Sequence, residues 1–197
     1  MSLQQPDLFE APSQDLAGFR YQDDFLSSAL EQETARRFGE LPFKPFEFHG
    51  YLGNRRVVSF GWRYDYGART ARPAEPIPEF LLAIRDQAAA WAKLPVEGFR
   101  QALVTEYAPG AGIGWHRDKP VYGEVLGISL LSPCTMRFRR AAGDGWERRL
   151  FKLQPRSIYI LQGPARSHWE HSIPEVTEPR YSVTFRQYAD APKMVPP

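Results

Sequence analysis

The chain is poor in sulfur and in histidine. A single cysteine, Cys134, stands among 197 residues, so no internal disulfide can form, and an intracellular, reducing, cytoplasmic setting is expected. No run of about 18 apolar residues occurs, which excludes a membrane-spanning helix, and no membrane partner is expected. The opening MSLQQPDLFEAPSQD has neither a basic start nor an apolar stretch, so it does not read as a secretory signal. Charge of one sign is also lacking. The formal net charge is +2, so a nucleic-acid partner would have to be held by a local basic patch. Only four histidines are present: His49, His116, His168 and His171.

What the chain does have is material for a core. It is 43% hydrophobic and 14% aromatic, enough for one sizeable domain, expected to be monomeric. Residues 1–18 are polar with scattered proline and are expected to form a flexible tail; 191–197 are expected to be irregular, leaving one domain over 19–190. DDFLSSALEQETARRF (23–38) reads as a helix with Phe25, Leu26, Ala29 and Leu30 on one face. PEFLLAIRDQAAAWAKL (78–94) reads as a second, with Pro78 in its first turn and a stripe of Phe80, Leu81, Ile84, Ala88 and Trp91. After residue 100 the pattern changes to short strands: 100–107, 124–131, 134–140, 146–153, 157–161 and 180–188, with AAGDG as a hairpin signal. An aromatic, strand-like segment at 46–67 contains a Gly53-Asn54 turn signal. This order predicts a mainly β sandwich or barrel with two helices packed outside it.

GIGWHRDKP (112–120) raises the functional question. His116 and Asp118 fit either a polar turn or two thirds of a metal site. A non-haem iron site needs two imidazoles and one carboxylate on one face of the ion. The missing imidazole must then come from a distant strand, and ARSHWEHSI supplies two candidates, His168 and His171. In RYSVTFRQ, Arg180 and Arg186 are an even number apart and share one strand face. Either that face is solvated, or it points inward and meets an anion such as a dicarboxylate by bidentate pairing.

YAPGAGIGWHRDK, the later HSI and RYSVTFRQ together resemble the AlkB family of iron(II)- and 2-oxoglutarate-dependent dioxygenases, over about residues 40–188. The family pattern of His-x-Asp, a distant His, then Arg, five residues and Arg is met in order. The resemblance implies a double-stranded β-helix, or jelly roll, over about 100–188 with an N-terminal nucleotide-recognition lid over about 43–70. It implies iron(II) bound by His116, Asp118 and His171, which are thereby the catalytic centre; His168 lies three residues too early for the arginine spacing. It assigns Tyr107, Arg180 and Arg186 to 2-oxoglutarate. Thr105 and Ser182 fall at cosubstrate positions that are often asparagine in the family, and both are shorter.

The activity implied is oxidative removal of N-alkyl lesions from DNA bases, a direct-reversal repair, with alkylated DNA as partner and base flipping as the route into the site. Phe48 and His49 match the finger that fills the gap of a flipped base, Arg55 and Arg56 could meet phosphates, Tyr64 and Tyr66 match lid tyrosines, and Lys119 matches a basic residue beside the metal motif. Phe46 reads as an ordinary inward strand residue. Pro120 stands where several members carry an acidic residue that helps recognise the alkylated base. Arg137 and Arg139 share a face opposite Phe138 and fit either a substrate groove or a solvated outer strand. The competing readings are an RNA or tRNA demethylase on the same scaffold, a small-molecule oxygenase, and a non-catalytic cupin-like binding protein.

Overall fold

In the computed structural model the described residues are 15–48, 51–65, 70–189 and 193–194. Their elements run β1 (Phe19–Gln22), α1 (Ser28–Phe38), β2 (Lys44–Phe48), β3 (Tyr51–Asp65), β4 (Thr70–Pro73), α2 (Glu79–Ala92), a 3-10 turn (Val96–Gly98), β5 (Phe99–Tyr107), β6 (Ile113–His116), β7 (Tyr122–Leu130), β8 (Cys134–Ala142), β9 (Gly145–Leu153), β10 (Ile158–Leu161), α3 (Gly163–Ser167), β11 (Glu170–Ile173), β12 (Arg180–Tyr188) and β13 (Lys193–Met194).

The strands form two sheets. The large one is ordered β1-β10-β7-β12-β5-β3-β4-β13, with β2 paired to β3; the small one is ordered β6-β11-β8-β9. The eight consecutive strands β5–β12 are divided four and four between the sheets, alternating except at the β8–β9 hairpin, which lies wholly in the small one; this is the connectivity of a double-stranded β-helix. Each strand that lies between two apolar layers must be apolar on both faces. In β7 the residues Leu126, Ile128 and Leu130 join one cluster, under α1 and α2, with Leu81, Ile84, Ala88 and Phe185. Val125 faces the other way, into the cluster between the sheets with Tyr107, Met136, Phe138, Leu153 and Leu161. The lone polar residue of that inner row, Ser129, is fully buried.

α1 starts later than the sequence pattern suggests. Ser27 caps it by accepting from the Leu30 N–H at 3.2 Å, and Asp24 before it is in the left-handed region at φ 49°. Phe25 and Leu26 therefore pack from an extended lead-in, while Ala29 is exposed. The face that α1 buries is Glu31, Thr34 and Phe38. Glu31 is tolerated there because its carboxylate accepts from the Leu131 N–H at 2.9 Å and pairs with Arg156 at 3.7 Å. The expected turn at Gly53-Asn54 does not occur: β3 runs straight through, and Phe48 pairs with Tyr51. Leu16, inside the expected tail, is buried in the inter-sheet cluster. Lys193–Met194, in the segment expected to be irregular, pairs in parallel with β4. Among the described residues no helix is long and apolar enough to cross a membrane.

Candidate active site

β6 and β11 are antiparallel neighbours in the small sheet, and their register sets His116 opposite His171. The two rings lie 4.3 Å apart, centroid to centroid. Gly112 permits this approach: a Cβ there would fall 2.7 Å from the Ile173 carbonyl oxygen. Asp118 follows the end of β6 by two residues and completes the group; one ligand atom from each of the three lies within 4.8 Å of the others. His168 caps the C-terminal end of α3, is exposed and lies outside this group, which excludes it as the rival ligand.

The protonation states suit a cation. The His116 ring donates through Nδ1 to the Gly114 carbonyl at 2.9 Å, which fixes the orientation of the ring. Burial first, and then the neighbouring His116, push the His171 imidazole down to about 3, so it is neutral at physiological pH. Burial alone would raise the Asp118 carboxyl, but Arg186, His171, His116 and Arg166 together hold it below the ordinary carboxylate range. Two imidazoles and one carboxylate are the donor set of a non-haem iron(II) site with open positions.

Arg166 steadies this centre, and sequence reasoning missed it. Its guanidinium donates to three carbonyls of the loop after Asp118: Lys119 at 2.6 Å, Tyr122 at 2.7 Å and Gly123 at 3.1 Å. A loop tied at three points cannot swing the carboxylate away.

The cosubstrate residues come together on the inner face of the large sheet. Arg180 pairs in register with Tyr107, and Ser182 with both Thr105 and Ser129. Arg180 is 1% exposed, lies 4.7 Å over the Tyr107 ring and donates to the Ser129 hydroxyl from Nε at 3.2 Å and Nη2 at 3.1 Å. No carboxylate pairs with it among the described residues, and its Nη1 is buried without a partner. Arg186 contacts Asp118 at 3.4 Å and Gln101 at 3.4 Å, and its Nε is likewise buried and unpartnered. The six-residue separation spans roughly 20 Å of strand, and of the two arginines only Arg186 contacts the candidate metal group. A buried guanidinium with a free edge is costly unless an anion arrives. The residues present thus fit both iron(II) and 2-oxoglutarate. Ser129 could have been found in the sequence as the one polar side chain in the apolar run Val125–Leu130.

At the mouth, the paired arginines separate. Arg55 is half-buried, stacks 3.8 Å over the Phe46 ring and approaches the Gly112 carbonyl at 3.5 Å. Arg56 points to the opposite face of the strand and is bound to Glu106, so a phosphate role there would compete with an existing ion pair. Tyr64 is part of an aromatic row running through Tyr188 (6.5 Å) to Tyr122 (5.4 Å from Tyr188), and Arg186 lies 5.3 Å over the Tyr122 ring. Tyr122 and Tyr188 were not anticipated. Lys119 and Pro120 are exposed on the loop after Asp118. His49, Tyr66 and the Phe48 side chain lie outside the described residues. Arg137 and Arg139 occupy the outer face of the small sheet, over Trp115 at 5.0 and 4.5 Å, with Arg139 bridged to Glu170 at 2.7 Å; Phe138 points inward, 6.0 Å from His171. The solvated-strand reading therefore holds for them.

With this geometry in view, comparison with known proteins is informative. Residues 18–186 match the model of the 2OG-Fe(II) oxygenase superfamily, and the chain belongs to that family. Within that superfamily its sequence is similar to AlkB-type proteins. It is 29% identical over 150 residues to the alkylated DNA repair protein ALKBH8 homolog of Arabidopsis thaliana, covering 62% of this chain and 42% of that one. It is 28% identical over 141 residues to the DNA oxidative demethylase ALKBH2 of Bos taurus, covering 64% and 49%. The chain thus spans less than half the length of these curated relatives. Among solved structures, OsALKBH1 superimposes with a TM-score of 0.65 at 19% identity, over 87% of this chain and 97% of that one. A Pseudomonas putida prolyl-4-hydroxylase superimposes at 0.58 with 16% identity, over 87% and 92%. These two share the fold.

Proposed function

We propose that the protein removes N-alkyl groups oxidatively from DNA bases. The observation that carries this reading is what adjoins the donor group: Arg186 contacts Asp118 and lies over Tyr122 at the end of the Tyr64–Tyr188–Tyr122 row, and Arg55 stacks on Phe46. Flat aromatic faces and a guanidinium suit an extruded base and its phosphate. The printed names of the two curated relatives, a repair protein for alkylated DNA and a DNA oxidative demethylase, support the same substrate class.

When bound, iron(II) with 2-oxoglutarate and O2 supplies hydroxylation of the alkyl carbon; the N–C bond then breaks, a methyl group leaves as formaldehyde, and succinate and CO2 are the coproducts. The protein's own part is orientation. His116, Asp118 and His171 hold the metal, with Arg166 fixing the loop that follows Asp118. Arg180, Ser129 and Tyr107 take the distal carboxylate, and Arg186 guards the metal end. The apolar inter-sheet cluster keeps water from the reacting carbon.

The test is formaldehyde and succinate release from matched N-methylated oligonucleotides, as single-stranded DNA, duplex DNA and RNA. The expected result is equimolar release with DNA, abolished in His116→Ala. Turnover confined to RNA would move the substrate to the RNA alternative. Uncoupled succinate formation, unaffected by every oligonucleotide, would overturn a nucleic-acid substrate.

A further inference from the structure

Tyr159 belongs to no part of the site described so far, yet its ring enters it. β10 runs antiparallel to β7, and the register places Tyr159 opposite Gly127. A Cβ at Gly127 would lie 2.1 Å from Tyr159 Cζ and 2.4 Å from its hydroxyl oxygen. The ring therefore lies flat across the glycine, and only a missing side chain there allows it. Beyond Gly127 the next strand is β12, where Thr184 is its partner and Ser182–Ser129 is the adjacent inward pair. The hydroxyl is thus carried over β7 toward the cosubstrate floor.

The inner cluster holds Tyr159 beside Tyr107, and the residue is 7% exposed. Its phenol senses Tyr107, Arg180, Asp118 and Cys134. Burial dominates and pushes the phenol up, so it stays protonated and remains a donor. Phe19 stacks on the ring at 6.0 Å, a contact that phenylalanine would make equally well. Packing on Phe19 therefore does not by itself call for a hydroxyl at this position. Arg180 has a buried Nη1 without a partner in the same chamber, while Thr105 and Ser182 are short.

We propose that Tyr159 is a positioning residue of the cosubstrate site, whose hydroxyl donates to the distal carboxylate held by Arg180. The inference rests on 2-oxoglutarate as cosubstrate, which family membership gives, and not on the identity of the nucleic acid.

The experiment is calorimetric binding of two ligands to the manganese(II)-loaded protein without oxygen or nucleic acid. One ligand is 2-oxoglutarate. The other is 2-oxopentanoate, the same chain ending in a methyl group. In Tyr159→Phe the Kd for 2-oxoglutarate should rise by roughly tenfold, the usual worth of a hydrogen bond to a charged group. The Kd for 2-oxopentanoate should not change, and the melting temperature should stay at the wild-type value. Gly127→Ala, which displaces the ring and keeps the hydroxyl, should weaken 2-oxoglutarate in the same selective way. Unchanged 2-oxoglutarate affinity in Tyr159→Phe overturns the proposal. So does an equal loss for both ligands with a lowered melting temperature, which is the signature of packing alone.

Discussion

Replacing Arg180 with methionine should make the protein a worse enzyme and no worse a fold. Arg180 is 1% exposed, its charge meets a serine hydroxyl and an aromatic face, and one of its nitrogens has no partner. In the cosubstrate-free protein this is a buried cation with no counter-charge, and exchange of such groups for apolar side chains of similar volume is often neutral or stabilising, by about 1–4 kcal/mol. The loss of Arg180's bonds leaves the Ser129 and Tyr107 hydroxyls each short of a partner, about 1 kcal/mol apiece in the other direction. With 2-oxoglutarate bound the balance reverses. Truncating one side of a buried, hydrogen-bonded charge pair costs roughly 2–5 kcal/mol, so the Kd for 2-oxoglutarate should rise at least about 30-fold. Arg180→Lys should recover part of the affinity, since an ammonium restores charge but not the fork. Urea unfolding of the metal-free protein and calorimetry with manganese(II) and 2-oxoglutarate measure the two effects separately. A marked fall in stability with 2-oxoglutarate affinity within threefold of wild type would show that Arg180 is structural and would refute the argument.

Arg55→Ala should weaken oligonucleotide binding and lower its salt slope by about one, while Arg56→Ala, which only breaks the Glu106 pair, should leave both unchanged; anisotropy titrations at several salt concentrations decide. Arg166→Met frees the loop after Asp118, and should weaken manganese(II) binding by roughly tenfold without cosubstrate present; calorimetry showing wild-type affinity would remove Arg166 from the metal site. His171 is depressed to about 3 in the fold, against an ordinary imidazole value of 6.5, so the unfolded chain takes up this proton first. Its contribution is therefore intact above pH 6.5 and is lost as pH falls toward 3. Denaturation midpoints of the metal-free protein should decline over that window, and more shallowly in His171→Asn.

Local rules reach some features of this protein directly. The apolar run of β7, the glycine-containing hairpin between β8 and β9 and the apolar stripe of α2 are each set by residues close in sequence, so they can be read from it. The spacing of His116, Asp118, His171, Arg180 and Arg186 carries the family resemblance for the same reason: register along a strand is counted in residues. The short strands β6 and β11 escape such reading, because four residues hold too little pattern and their pairing joins segments far apart in the chain. Only the closed fold decides that His171 and not His168 faces His116, that Arg55 turns inward while Arg56 meets Glu106, and that Arg166 clasps the metal loop. Tyr159 shows the limit most plainly. Nothing near it in sequence marks it, and its place depends on a glycine 32 positions earlier, brought opposite by strand pairing. Side-chain alternation is fixed by covalent geometry, whereas the partner across a sheet is chosen by the free energy of the whole core.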